Sequence, residues 1–314
     1  MLSSMLPPED DAARPAAKEP APPPDPAQAG APSRGNRPTL AELRAVSQPD
    51  TVVGRRNSEH WAGMYLRKGS IHLTRLLLPT GISANAVTWL MIVVGFAGAL
   101  VLAIPGWWPV IAAAVLIQLH ILVDCSDGEV ARWRNQHSTA GVYIDRVGHY
   151  LVESLLPIAL GVHLDGGPGS VGGWTTVGAL VAVVVILKKS FGDLVHVART
   201  YSGWPKMSED AELAAPRSGG LRSLRGLLRF FPFFRAFGAI EFTLILAVLA
   251  TVDLVLRLAG LEAAAPGGGW WSVGDQLAYE AVLRAWMVLA IPLSLATAAG
   301  YLLSILASNR LRRP

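Results

Sequence analysis

The 314 residues would fill about two ordinary domains, but 52% are hydrophobic, only 16% are charged, and mean hydropathy is +0.39. Soluble proteins carry about a quarter charged residues, and several apolar runs here are long enough to cross ~30 Å of hydrocarbon. A soluble enzyme, a fibrous protein and a fully disordered chain are therefore excluded, and the net charge of +4 points to an anionic bilayer face.

In chain order, residues 1–48 are rich in proline and alanine with scattered charge, a composition expected to stay disordered because it cannot bury enough apolar surface. The beginning MLSSMLPPEDD has neither the basic nor the apolar stretch of a signal peptide. Residues 49–80 form a juxtamembrane segment. Within it, 58–78 mixes Trp61, Tyr65, Leu66, Ile71 and Leu73 with Arg67, Lys68 and Arg75, as an amphipathic helix on a membrane surface would; a soluble amphipathic helix is the plainer alternative. Residues 81–314 read as an all-α bundle of six transmembrane helices. The spans fall at about 86–104, 108–131, 141–163, 171–196, 236–258 and 281–307.

Of the 27 Lys and Arg residues, all but Arg257 and Arg284 fall on one side of this layout. Positive charge marks the cytoplasmic side, so both termini are expected there. Trp107, Trp108, Trp174, Trp270 and Trp271 sit at the opposite ends, where aromatic belts form. The single Cys125 excludes an intrachain disulfide and a cysteine-rich metal site.

Ionisable residues inside spans are costly and mark function by default. Asp124, Asp127, Glu129, Arg132, Asp145, Arg146, His149 and Glu153 gather at the cytoplasmic ends of spans two and three. At ~100° per residue, Asp127 lies about −60° from Asp124, Ala131 about −20°, Gly128 about +40° and Arg132 about +80°. Two carboxylates, two small residues and a guanidinium thus share one helix face. On the next helix, Gly141, Asp145 and His149 follow at i, i+4 and i+8, again one face. Carboxylates so close cannot all stay ionised without cations, and oxygen-rich clusters suit Mg²⁺ or Mn²⁺, which commonly also hold substrate phosphates. Small residues let a ligand approach the backbone, and Arg132 can grip a phosphate. The alternative is a salt-bridge network of Arg132 and Arg146 with the Asp residues.

These residues resemble the signature of the CDP-alcohol phosphotransferase (CDP-alcohol phosphatidyltransferase) family, D-x2-D-G-x2-A-R-x8-G-x3-D-x3-D. Asp124, Asp127, Gly128, Ala131, Arg132, Gly141 and Asp145 match. The segment SANAVT, Ser83 to Thr88, is similar to the family's P-N-x-x-T segment. The resemblance implies two divalent cations (Mg²⁺ or Mn²⁺) held by Asp124, Asp127 and Asp145, with His149 a further ligand, and a CDP moiety cradled by Gly128, Ala131, Arg132 and Gly141. It implies attack of a polar alcohol on the phosphate of a CDP-activated lipid, CDP-diacylglycerol foremost, with release of CMP in phospholipid biosynthesis, and a homodimer. The sequence departs at the fourth acid, the family's general base, where it has His149. Imidazole is the commonest general base, so His149 and Asp145 are the expected catalytic residues. The competing reading is a catalytically inactive membrane scaffold or lipid-binding member of the same fold.

Other residues admit two readings each. Lys188, Lys189, His196 and Arg199 recognise an anionic acceptor or anchor the helix. Glu241 faces the notch or pairs with Arg235 or a backbone group. Glu153 orients His149, and His120 supports the site or is simply packed. Asp193 pairs with Lys189 at i−4, and His137 is solvated. The stretch Arg217 to Arg235 is a surface-lying amphipathic segment; it is not expected to bind nucleic acid, because no recognition fold accompanies it.

Overall fold

The computed structural model describes residues 35–49, 63–204, 235–260, 280–308 and 310–312. Regular structure among them is helical: α1 (Leu40–Ser47), α2 (Gly63–Leu77), a 3₁₀ turn (Leu78–Thr80), α3 (Ala84–Leu102), α4 (Trp107–Arg134), α5 (Thr139–Leu164), α6 (Gly173–Tyr201), α7 (Ala239–Leu258) and α8 (Ala281–Ala307). Five of these, α3, α4, α5, α7 and α8, are long and apolar enough to cross a membrane, which makes this a multi-pass membrane protein. The expected span at 171–196 corresponds to α6, which begins two residues later. That helix carries Lys188, Lys189 and Asp193 in its second half and is not among the five.

Exposure follows the membrane reading. Trp89, Val93, Phe96 and Leu100 of α3 are exposed at alternating spacings of four and three, one continuous apolar stripe. The inward faces of α3, α4, α5, α6, α7 and α8 meet in a core that includes Ile117, Ile121, Leu156, Leu160, Val181, Phe242 and Met287. Small residues set the tightest crossing. A Cβ on Gly161 would strike the backbone of Trp174, and one on Gly178 the carbonyl of Pro157; α5 and α6 therefore touch backbone to backbone, as small residues allow in membranes.

The N-terminal part departs from expectation. Residues 40–47, read as disordered tail, form α1, closed by a capping box: the Thr39 Oγ1 accepts from the Glu42 N–H, and the Glu42 carboxylate accepts from the Thr39 N–H at 2.8 Å. Leu43 is fully buried with Ile71, Leu78, Val130 and Trp133. Helix α2 turns Leu66, Ser70, Ile71 and Thr74 inward, so Leu66 and Ile71 pack on the bundle. Residues 1–34, 58–62 and 205–234, and the Trp270–Trp271 pair, lie outside the described residues.

Candidate active site at the α4–α5 reversal

The chain reverses between α4 and α5 within residues 135–138. Asn135, at φ 55°, ends α4 in the left-handed conformation and returns its N–H to the Ala131 carbonyl, a common helix stop. Ser138 starts α5 by accepting the Gly141 N–H at 2.9 Å. So short a connection sets the last turns of α4 beside the first turns of α5 and brings the acidic faces together.

His149 Nε2 lies 3.1 Å from Asp124 Oδ1 and 3.4 Å from Asp145 Oδ1. Ligand atoms of the three residues stand within 4.8 Å of one another. Asp145 Oδ1 is buried and makes no hydrogen bond among the described residues. Two hard oxygens and one imidazole nitrogen grouped this closely fit a divalent cation. The Asp124 and Asp145 side chains are 23% and 34% exposed, so the cluster opens to one side.

Asp127 lies one turn along α4. Its Oδ2 accepts a hydrogen bond from Thr88 Oγ1 at 2.7 Å, and it is close enough to Asp124 and Asp145 for their charges to interact. The bare backbone of Gly128 is covered by Arg132: a Cβ there would stand 3.1 Å from Nη1 and 3.3 Å from Nη2. Arg132 Nε donates to the Ser47 carbonyl at 2.6 Å. Ala131 is half-buried on the same turn. Gly141 is less open than a cradle needs, since a Cβ there would lie 2.6 Å from Asn85 Oδ1, which also accepts from Ser138 Oγ at 3.2 Å. Asn85 and Thr88 both belong to the SANAVT segment, which therefore braces both signature helices.

Several expected partners are different. Glu129 points away from the cluster, at about 140° from Asp124 on the helix wheel. It is fully buried and accepts from Ser70 Oγ at 2.5 Å, Thr74 Oγ1 at 2.6 Å and Gln48 Nε2 at 2.7 Å. Glu153 pairs across helices with Lys189 at 2.5 Å. Asp193 meets Arg146 at 3.5 Å and accepts from Tyr150 Oη at 2.9 Å, so the Asp193–Lys189 pair and the Arg146 link to the signature are both replaced by α5–α6 bridges. His120 is buried, with Nδ1 2.8 Å from the Met91 carbonyl and its ring edge-on to His149 at 5.7 Å. Arg199 is buried, donates to the Arg310 carbonyl at 3.0 Å and stacks over Trp204. The Glu241 carboxylate folds over Gly238, and His137 is exposed.

A second polar locus, a cavity of about 360 Å³, is lined by Trp107, His163, Asp165, Asp253, Glu280 and Arg284. Its acids serve the fold. Asp165 accepts from the Gly172, Trp174 and Thr175 N–H groups, and Asp253 from those of Val282 and Leu283. Glu280 lies 2.9 Å from His163.

Residues 81–210 match the sequence profile of the family described as CDP-alcohol phosphatidyltransferase. Among curated proteins, none matches the chain. The matched stretch starts just before α3 and runs past the end of α6, enclosing the Asp124–Asp145–His149 cluster, Thr88 and Arg132. The chain thus carries, at residues 81–210, a CDP-alcohol phosphatidyltransferase domain.

Proposed function

We propose that this protein transfers a substituted phosphate group, phosphatidyl foremost, from a CDP-alcohol to a polar alcohol and releases CMP, as a step of phospholipid synthesis. The observation that carries the reading is the convergence of Asp124, Asp145 and His149 within the matched domain. CDP-diacylglycerol is the proposed donor, because the signature helices are flanked by lipid-facing surfaces through which an acylated substrate can enter. The Lys/Arg asymmetry supports a cytoplasmic position for the site, both termini and the basic segments, a reading in which α6 also crosses the bilayer as a sixth span.

Asp124 and Asp145, with Asp127 one turn away, would hold divalent cations, which supply charge stabilisation to the phosphoryl oxygens and the departing CMP. His149 offers Nε2 to the same space. Because one nitrogen cannot accept a proton while ligating, we assign it to the proton. The acceptor hydroxyl loses its proton to Nε2 as its oxygen bonds to phosphorus and the bond to the CMP oxygen breaks. Arg132, lying over Gly128, binds the nucleotide phosphate through charge-assisted hydrogen bonds.

The test is acceptor-dependent CMP release by detergent-purified protein with CDP-diacylglycerol, Mg²⁺ or Mn²⁺, and a panel of inositol, inositol phosphate, glycerol phosphate and serine. His149→Ala should lower kcat by about 10²–10⁴, the usual worth of a general base, and His149→Asp, which restores the signature, should recover most of it. Metal-dependent CDP binding without turnover on any acceptor would reject CDP-diacylglycerol as the donor and leave another CDP-activated donor or an inactive lipid-binding protein.

A further inference from the structure

The stretch before the matched domain ends at the site. Helix α1 lies against the last turns of α4, and its C-terminal residues contact the signature directly. The Ser47 carbonyl accepts from Arg132 Nε at 2.6 Å. Ser47 Oγ donates to the Glu129 carbonyl at 3.1 Å. Gln48 Nε2 reaches both Glu129 Oε1 at 2.7 Å and the Arg67 carbonyl at 2.5 Å. Further back, Trp133 Nε1 donates to the Gly35 carbonyl at 3.1 Å, and Leu43 is wholly buried against Val130 and Trp133. Residues 35–48 therefore grip Glu129, Val130, Arg132 and Trp133, little more than one turn of α4, from outside residues 81–210.

We propose that α1 is a working part of the active site: it clamps Arg132 through the Ser47 carbonyl and fixes the guanidinium over Gly128, so that its Nη pair is presented to the phosphates of the CDP-alcohol. This rests on the functional reading above. A flexible arginine spends rotamer entropy on every ligand it binds. One whose Nε is already held spends less, because a single bond fixes the plane of the fork. Ser47 and Gln48 are thus positioning residues, acting through Arg132 and Glu129 and not on the substrate.

Two measurements on the full chain test the proposal. In the first, Leu43→Glu undocks α1 without touching Arg132. KM for CDP-diacylglycerol should rise about tenfold, roughly the loss of one charge-assisted hydrogen bond, with kcat within about twofold; in an Arg132→Ala background the same substitution should have no further effect. Gln48→Ala should give a smaller rise of the same kind. Equal effects of Leu43→Glu in both backgrounds would overturn the proposal, because α1 would then act on something other than Arg132. The second measurement is hydrogen exchange of residues 40–48, which needs no substrate. Arg132→Ala should speed it if Arg132 helps hold α1, and unchanged exchange would overturn the clamp. If the wild-type protein releases no CMP with any acceptor, the functional reading has failed, and the exchange experiment alone decides whether α1 is held by Arg132.

Discussion

Glu129 offers the sharpest test of how the N-terminal helices are attached. Its carboxylate is fully buried and takes hydrogen bonds from Ser70, Thr74 and Gln48, on α2 and the end of α1. Hydrogen bonds to a charged group contribute roughly 1.5–3 kcal/mol each, but not all three donors would be stranded in Glu129→Ala. Ser70 Oγ and Gln48 Nε2 also reach the Arg67 carbonyl, at 3.2 Å and 2.5 Å; Thr74 would lose its acceptor outright. The net cost should be about 3–5 kcal/mol, from three hydrogen bonds to a charged group partly replaced by the two to the Arg67 carbonyl. Glu129→Gln keeps one oxygen for Ser70 and Gln48 and turns an NH₂ toward Thr74, whose hydroxyl can rotate to accept, so about 1 kcal/mol should be lost. Reversible denaturant unfolding in one fixed detergent would compare the variants. Replacing the group together, with Glu129→Leu, Ser70→Ala, Thr74→Val and Gln48→Leu, should recover part of the loss, because the donors go with the acceptor. A folded Glu129→Ala protein within about 0.5 kcal/mol of wild type, inside the ordinary range for surface changes, would refute the reasoning.

Three other substitutions probe separate links. Gly178→Ala puts a methyl into the Pro157 carbonyl, which cannot move aside as a side chain can, so α5 and α6 must part at about 1–3 kcal/mol; Gly192→Ala, which meets only Tyr301 Oη at 3.1 Å, should lower the thermal midpoint far less. Thr88→Val removes the 2.7 Å hydrogen bond to Asp127 with little change of shape, so CMP release should fall about tenfold or more with midpoint nearly kept, while Thr88→Ser retains activity. Asp165→Ala leaves the N–H groups of Gly172, Trp174 and Thr175 without the acceptor they now share at the start of α6; the loss should be about 1–2 kcal/mol in the same unfolding assay, with no change in KM for the CDP-alcohol.

Much of the site could be read in the sequence because helix geometry turns spacing into direction. The i, i+4 step from Asp145 to His149 predicts a shared face, and the structure puts both beside Asp124. What failed was reading proximity along the chain as proximity in space. Glu129 stands two residues from Asp127 but most of a half-turn away from the cluster, and it anchors α1 and α2. Glu153 and Asp193 find Lys189 and Arg146 only because α5 and α6 cross where Gly161 and Gly178 let them touch, and no single-helix pattern encodes that crossing. Helix α1 was hidden for a different reason. Averaging over a proline-rich stretch dilutes eight residues, although Pro38, the Thr39–Glu42 capping box and Leu43 are a local signal of a helix start.

The two faces of α4 have opposite requirements, and its sequence meets both. Toward α5 it presents Asp124, Asp127 and Gly128, all partly exposed. Toward α1 and α2 it presents Ser126, Glu129, Val130 and Trp133, all buried. A reactive face full of like charge gains nothing from folding and tends to push its helices apart, so the opposite face must hold the helix in register. The Glu129 centre and the Leu43–Val130–Trp133 contacts do so within the same turns, and the Ser47 carbonyl links the two faces through Arg132. A helix end that carries two carboxylates on one face therefore needs the preceding segment as an anchor on the other, which is why residues far from the signature in sequence meet it in space.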